Sequence, residues 1–515
     1  MHLLPLLLAT SLIVAPALGA DSKTKTEITT SSERTGDKPD PDVAAASATE
    51  DAQPSRHSVQ IDGRTISYTA TPGTLVIRDD DGKPTASVFY TAYTVDGAKN
   101  RPVTFLFNGG PGSSTMWLHM GSIGPVRVDT PNVGPSATAP YRIVANPHSL
   151  IDRSDLVFID AVGTGYSRPL GDMKGPEFWG VDGDIDAFAK AIQRWVTKYN
   201  RWDSPKFIMG ESYGTLRAGG LVYALQQRGM PMNGVMLVSS ILNYGIRNPG
   251  FDQQDVMYLP SYAATAWYHK RAGQGSDLPS FVAAAQAYAR GPYLLALQKG
   301  DTLTAAEAQT VAAELSKFTG LSPQFLLEND LRVDLGRFRK ELLRDQRLSV
   351  GRLDSRFTGS DVDAGSDNPD YDAADAQLSG AYVGALNTYL AEDLGYKTKL
   401  QYRPNYYSKI NPSWDWKHKA AGDNRASPVA NTALDLAAAM RENPKLKLLS
   451  ANGYYDMATP FSGAEYDIGH MQLGPGLRSN VSFTYYPAGH MFYIKPEALA
   501  AFRDDLLRFY DSATR

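Results

Sequence analysis

Phe207-Ile208-Met209-Gly210-Glu211-Ser212-Tyr213-Gly214 is the stretch that decides the fold. Lys206 to Met209 is an apolar run with strand character, and Leu216 and Ala218 open a helix-compatible segment. Between them lies Gly-x-Ser-x-Gly, the sharp strand-to-helix turn that presents a serine hydroxyl as a nucleophile. The glycines are physical requirements: a Cβ at Gly210 or Gly214 would strike neighbouring backbone in so tight a turn. The pentapeptide alone is weak, because it recurs by chance in long chains as an ordinary Gly-rich turn. The strand before it and the helix after it favour the nucleophile.

Working outward, Val103 to Phe107 is apolar apart from Thr104, the signature of a buried strand. It runs into Asn108-Gly109-Gly110-Pro111-Gly112-Ser113-Ser114. A phosphate loop would need Lys-Ser/Thr here and lacks it. Asp155 to Asp160 and Gly234 to Ser239 are further buried strands, and Val181 to Tyr199 has helical spacing. Strand, helix, strand in alternation predicts a parallel sheet with right-handed crossovers. Upstream, period-2 runs from Ser58 to Tyr93 predict antiparallel strands, with Asp62-Gly63 as a hairpin turn. Downstream, 247–443 reads as mostly helical, with segments such as Leu278 to Ala289, Ala305 to Phe318 and Ala373 to Leu394. Lys445 to Ser450 and Asn480 to Tyr486 resume the sheet, and Pro496 to Tyr510 closes the chain as a helix.

The 515 residues are 43% hydrophobic, enough for a sizeable core. A net charge of −4 asks for neither nucleic acid nor an anionic membrane surface. With no cysteine and eight histidines, disulfides and thiolate chemistry are excluded, and no metal or other cofactor is expected. Residues 1–20 read as a signal peptide: an apolar run too short to span a membrane, then Ala17, Gly19 and Ala20. The expectation is an exported protein, periplasmic or secreted, with no membrane anchor after cleavage. Residues 21–57 are polar and expected to be disordered. The resulting division is 58–246 as the first part of the core, 247–443 as a helical cap insertion and 444–515 as the second part.

A serine nucleophile needs a base and a group to orient that base. Asp456 and His490 each follow a buried strand closely, in the order serine, acid, histidine. That order and the alternation above define an α/β-hydrolase fold: a mostly parallel central sheet flanked by helices, with a helical cap and an N-terminal antiparallel extension. In this fold a Gly-Gly loop after an early strand supplies one N–H of the oxyanion hole, which the loop from Asn108 matches.

Four blocks in order, Asn108-Gly-Gly-Pro-Gly-Ser-Ser, Gly163-Thr-Gly-Tyr-Ser, Gly210-Glu-Ser-Tyr-Gly and Ala488-Gly-His-Met, resemble the serine carboxypeptidases. The resemblance covers roughly Pro102 to Leu242 and Lys445 to the C-terminus. It implies Ser212 as nucleophile, His490 as base and Asp456 as its orienting acid. It implies an oxyanion hole from the N–H groups of Gly110 and Tyr213. Asn108 and Glu211 would bind the carboxylate of a peptide with a free C-terminus. A carboxyl can hold a carboxylate only when protonated, so an acidic optimum is expected for peptides, with higher pH tolerated by esters and amides. Two features depart from the family. Ser122 stands where another acidic residue is usual, and the family's disulfides are absent, as in a bacterial-type member. An esterase or acyltransferase on the same fold, and an exported binding protein on an inactive scaffold, are the other readings.

Overall fold

The structure, a computed structural model, describes residues 46–97, 100–136, 138–247 and 250–514. The expected signal peptide and residues 21–45 of the expected disordered stretch lie outside the described residues. Residues 46–57 correct the boundary expected at Ser58. Glu50 accepts from the Val76 amide at 3.1 Å and pairs with Arg194 and Lys198, and Ala52 bridges to Gly73. The first strand starts at Ser55. This segment is held by backbone pairing and one carboxylate between two cations, so its lack of apolar residues does not leave it disordered.

Nine strands build the main sheet. They are β1 (Ser55–Ile61), β2 (Arg64–Arg78), β3 (Pro84–Thr94), β4 (Val103–Phe107), β5 (Asp155–Ile159), β6 (Lys206–Ser212), β7 (Gly234–Ser240), β8 (Lys447–Gly453) and β9 (Val481–Tyr486). A two-residue strand, Arg168–Pro169, adds onto β3. The order is β1-β2-β3-β5-β4-β6-β7-β8-β9. From β5 to β9 every pairing is parallel, and β1, β2 and β3 form an antiparallel extension that meets β5. The hairpin turn falls on Asp62 and Gly63, both at positive φ, as Asp-Gly predicts.

The principal helices are α1 (Met116–Gly121), α2 (Val181–Lys198), α3 (Tyr213–Gln227), α4 (Gln253–Tyr268), α5 (Leu278–Tyr288), α6 (Ala305–Thr319), α7 (Pro323–Glu328), α8 (Leu335–Glu341), α9 (Ala373–Thr388), α10 (Ala433–Glu442), α11 (Phe461–Gly469) and α12 (Pro496–Ala513). None among the described residues is long and apolar enough to cross a membrane. The sheet has one core on each face. Phe105, Val157 and Ile208 pack with Ile185, Phe188, Ile192 and Trp195 of α2, while Leu106, Phe158 and Met209 pack with Leu499, Phe502 and Leu506 of α12. Successive strand residues thus serve opposite cores, which is why the parallel strands read as unbroken apolar runs.

The stretch 247–443 is mostly helical and carries a smaller core of its own, centred on Leu259, Tyr262, Leu315, Leu326 and Phe338. Five of its helices begin where short polar side chains cap them. Asp277, Thr304, Ser322, Asp334 and Asp372 each accept a first-turn N–H, and Thr304 with Glu307 forms a capping box. The two ends of this stretch join the main body: Leu378 and Tyr382 of α9 belong to one face of the sheet and Leu436 of α10 to the other.

The strand order reverses between β4 and β6, because β5 lies on the far side of β4. Open parallel sheets leave a crevice at such a reversal, at the C-terminal ends of the strands. Asn108 leaves β4 there and Ser212 ends β6 there.

Candidate active site

Ser212 has φ 60° and ψ −131°, and α3 starts at the next residue. Non-glycine residues rarely hold this conformation, and it costs about 1–3 kcal/mol. A Cβ on Gly210 would lie 2.1 Å from the Gly214 carbonyl oxygen, and one on Gly214 would lie 3.0 Å from that of Phe107. A side chain is therefore barred at Gly210 and badly crowded by backbone at Gly214. The Thr215 hydroxyl donates to the Ser212 carbonyl at 2.7 Å and steadies the turn.

The loop after β4 packs directly on this turn. A Cβ on Gly109 would come within 2.5 Å of the backbone nitrogens of Tyr213 and Gly214. The Gly109–Gly110 backbone is thus held against the N-terminus of α3, where unpaired N–H groups favour negative charge. Arg217 fastens the two parts. Fully buried on α3, it donates to the Asn108 carbonyl at 2.7 Å and to Asp184 at 2.7 and 3.2 Å. Its guanidinium lies 4.2 Å from the Phe188 ring centroid. Its standing as the one charged residue of this helix was the available sequence signal.

Asp456 and His490 meet beyond β8 and β9. The His490 Nδ1 lies 2.7 Å from the Asp456 carboxylate, and both residues are buried. The other Asp456 oxygen accepts the amides of Ala458 and Thr459 at 2.8 and 2.9 Å, and the Thr459 hydroxyl donates to the first at 2.7 Å. Burial opposes charge on His490, but Asp456 overrides it and lifts the imidazole above its ordinary value, with Glu211 adding to the effect. With Nδ1 committed to Asp456, Nε2 is the nitrogen left for a proton from the serine.

The two loops are locked together by a segment of the insertion, which sequence reasoning missed. Arg352 accepts the Met457 amide at 3.1 Å, and Leu353 accepts the His490 amide at 2.6 Å. Asp354 accepts the Gly489 amide at 3.0 Å and pairs with the buried Arg356 at 2.6 Å. Ser355 donates its amide to the Tyr455 carbonyl at 3.0 Å. No periodicity marks this short non-helical segment.

Glu211 and Asn108 are brought together as the sequence predicts. Glu211 is 2% exposed. Burial raises its carboxyl to about 7, against the pull of His490, of Tyr493 and of the Asn108 side chain. The Tyr493 hydroxyl donates to Glu211 at 2.8 Å, and the Asn108 Oδ1 accepts the Leu118 amide at 3.0 Å. Tyr493 was not anticipated; its signal was its place three residues after His490. Ser122 offers no carboxyl. Fully buried, its hydroxyl turns back to the Leu118 carbonyl at 2.5 Å.

Ser212, His490, Glu211, Asn108 and Gly110 line one cavity of about 710 Å³. Its aromatic walls include Trp117, Tyr244, Tyr258, Tyr407 and Trp416, two of them tyrosines of the insertion. A second cavity of about 650 Å³, beside β9, contains none of the residues singled out for chemistry. The arrangement brings a strained serine, an aspartate-held histidine and the Gly109–Gly110 loop to one cavity.

This fold, with a serine elbow and its histidine–aspartate partners, defines a serine-type hydrolase of the α/β-hydrolase superfamily. Residues 77–274 match the family model described as serine carboxypeptidase, which bears out the resemblance over that stretch. The match takes in Asn108, Gly110, Glu211, Ser212 and Tyr213; Asp456 and His490 lie beyond it. Solved structures similar to the chain include a proline iminopeptidase from Mycobacterium smegmatis, at 14% identity and TM-score 0.36, covering 85% of this chain and 98% of that one. Another is a putative aryl esterase from Burkholderia cenocepacia, at 12% identity and TM-score 0.36, covering 85% and 98%. A third is a carboxyl esterase from Bacillus coagulans, at 11% identity and TM-score 0.37, covering 85% and 98%.

Proposed function

We propose that the protein is a serine-type carboxypeptidase that releases C-terminal amino acids from peptides through an acyl-enzyme. Ser212 attacks the last peptide carbonyl as His490 Nε2 takes the hydroxyl proton. The N–H groups of Gly110 and Tyr213 receive the oxyanion. The C–N bond breaks as His490 returns the proton to the departing amine. Water, activated by the same imidazole, then hydrolyses the ester on Ser212. Asp456 keeps the imidazole in the tautomer this requires. Export through the N-terminal twenty residues, to the periplasm or the exterior, belongs to the same proposal.

The observation that carries the reading is Glu211, a buried carboxyl neutral below about pH 7 and paired with Asn108 beside the nucleophile. A neutral carboxyl can donate to the substrate's terminal carboxylate; an ionised one repels it. The base needs His490 neutral, and Asp456 lifts its value. These demands leave a weakly acidic window for peptides, with esters and amides extending higher. The test compares blocked dipeptides with free and amidated C-termini; equal rates on both overturn the carboxypeptidase reading.

Ester hydrolysis is the second reading, and Ser122 favours it. Without a second carboxyl at that position, recognition of the terminal carboxylate rests on Glu211 and Asn108 alone. Above pH 7 an ester lacking that carboxylate suits the cavity better.

A further inference from the structure

Two arginines line the active-site cavity without forming an ion pair among the described residues: Arg247, just after β7, and Arg352, in the segment that locks the Asp456 and His490 loops. Arg247 is half-buried and donates to the Ala458 carbonyl at 3.0 Å. Arg352 is fixed at its backbone by the Asp372 carboxylate and the Met457 amide, and its side chain is exposed. Arg247 and Arg352 thus meet adjacent residues of the loop after Asp456, Ala458 and Met457, and so share one side of the cavity. Glu211 is held instead by the Tyr493 hydroxyl, which donates to it at 2.8 Å. Glu211 and the two arginines are thus anchored on different segments around one cavity.

Asp372 and Asp375 line the same cavity, but among the described residues neither forms an ion pair with Arg247 or Arg352. Asp372 is occupied by four backbone amides, those of Arg352, Leu353, Ala374 and Asp375. Asp375 accepts from Ser379 one turn along α9. Arg247 forms no ion pair with the buried Asp467, one oxygen of which accepts the amides of Leu242 and Asn243 at 3.0 and 3.1 Å.

We propose that Arg247 and Arg352 bind an anionic group on the acyl half of the substrate, the side-chain carboxylate of the residue just before the scissile bond. This rests on the acyl-enzyme reading above, with the leaving residue's carboxylate at Glu211. Guanidinium groups recognise carboxylates by paired, charge-assisted hydrogen bonds, and a partly desolvated pair makes that selective. The substrate class is thereby narrowed to acyl groups ending in glutamate or aspartate.

The test uses two substrate pairs: blocked Glu-Phe against Gln-Phe, and the p-nitrophenyl esters of blocked glutamate and glutamine. The Glu/Gln ratio of kcat/KM is read within each enzyme, so general losses of activity cancel. In the unaltered enzyme it is expected to be about tenfold at low salt and to shrink as salt rises. In the Arg247→Gln/Arg352→Gln double variant it falls to about one. A ratio of one or less in the unaltered enzyme, or one that survives in the double variant, overturns the proposal. Should the esters be cleaved and the peptides not, the carboxypeptidase reading fails, while the ester ratio still supports or overturns the arginine site.

Discussion

The strand ends and the segment 351–357 reach the same few atoms by opposite routes. The strand ends deliver Asn108, Ser212, Asp456 and His490 because a parallel sheet points all its C-terminal loops one way, and its order reverses at β4 and β6. The segment arrives from the helical insertion and contributes mainly hydrogen bonds: Arg352 to Met457, Leu353 to His490 and Asp354 to Gly489. The sheet decides which side chains can meet. The insertion decides how firmly two of them are held. A covering lobe can thus be part of the catalytic framework rather than a lid laid over it.

Asp456→Asn tests the sheet's half and should have the largest effect. The amide would favour the wrong imidazole tautomer and lower kcat by about 10⁴-fold with the fold intact. Kinetics alongside circular dichroism would check this; a loss below tenfold would remove Asp456 from the mechanism. Asp354→Ala tests the insertion's half. It strands the buried Arg356 cation and frees the Gly489 amide. We expect about 3–5 kcal/mol lower stability by denaturant titration. We also expect a lower kcat in the fraction still folded. Lost stability with an unchanged kcat would reduce the segment to a structural brace.

Glu211→Gln sharpens the contrast between a group that titrates and one that only holds. Glutamine keeps a donor but cannot ionise, so the fall in free-acid peptide cleavage near pH 7 should vanish from the pH profile. Persistence of that fall would assign it to another group. Tyr493→Phe is the mildest change. The hydroxyl donates to Glu211 and favours its ionised form. Its loss should move the alkaline limb upward by about 0.5–1 pH unit, on the scale of one hydrogen bond. A downward move would contradict the assigned direction.

The sheet was legible because its physics is local. Val103–Phe107 and Leu156–Ile159 are predominantly apolar runs buried on both faces, and Gly210 and Gly214 answer a steric need within one turn. The triad candidates were legible because Asp456 and His490 lie within a few residues of strands β8 and β9. Residues acting at long range were not. Tyr493 reaches Glu211 across 282 positions of chain, and Asp354 meets Gly489 across 135. Nothing in the neighbourhood of Asp354 distinguishes it from any other loop aspartate. Residues 46–57 misled for a related reason: their order comes from Glu50 and backbone pairing, which composition does not register.

The central claim is that a neutral Glu211 reads the substrate's free carboxylate. The most direct test is kcat/KM against pH for one blocked dipeptide in its free-acid and amide forms. The free-acid form is expected to lose activity as pH rises through about 7, where Glu211 ionises, while the amide form is not. Two profiles that fall together, or a free-acid profile flat from about pH 4 to 8, would contradict it.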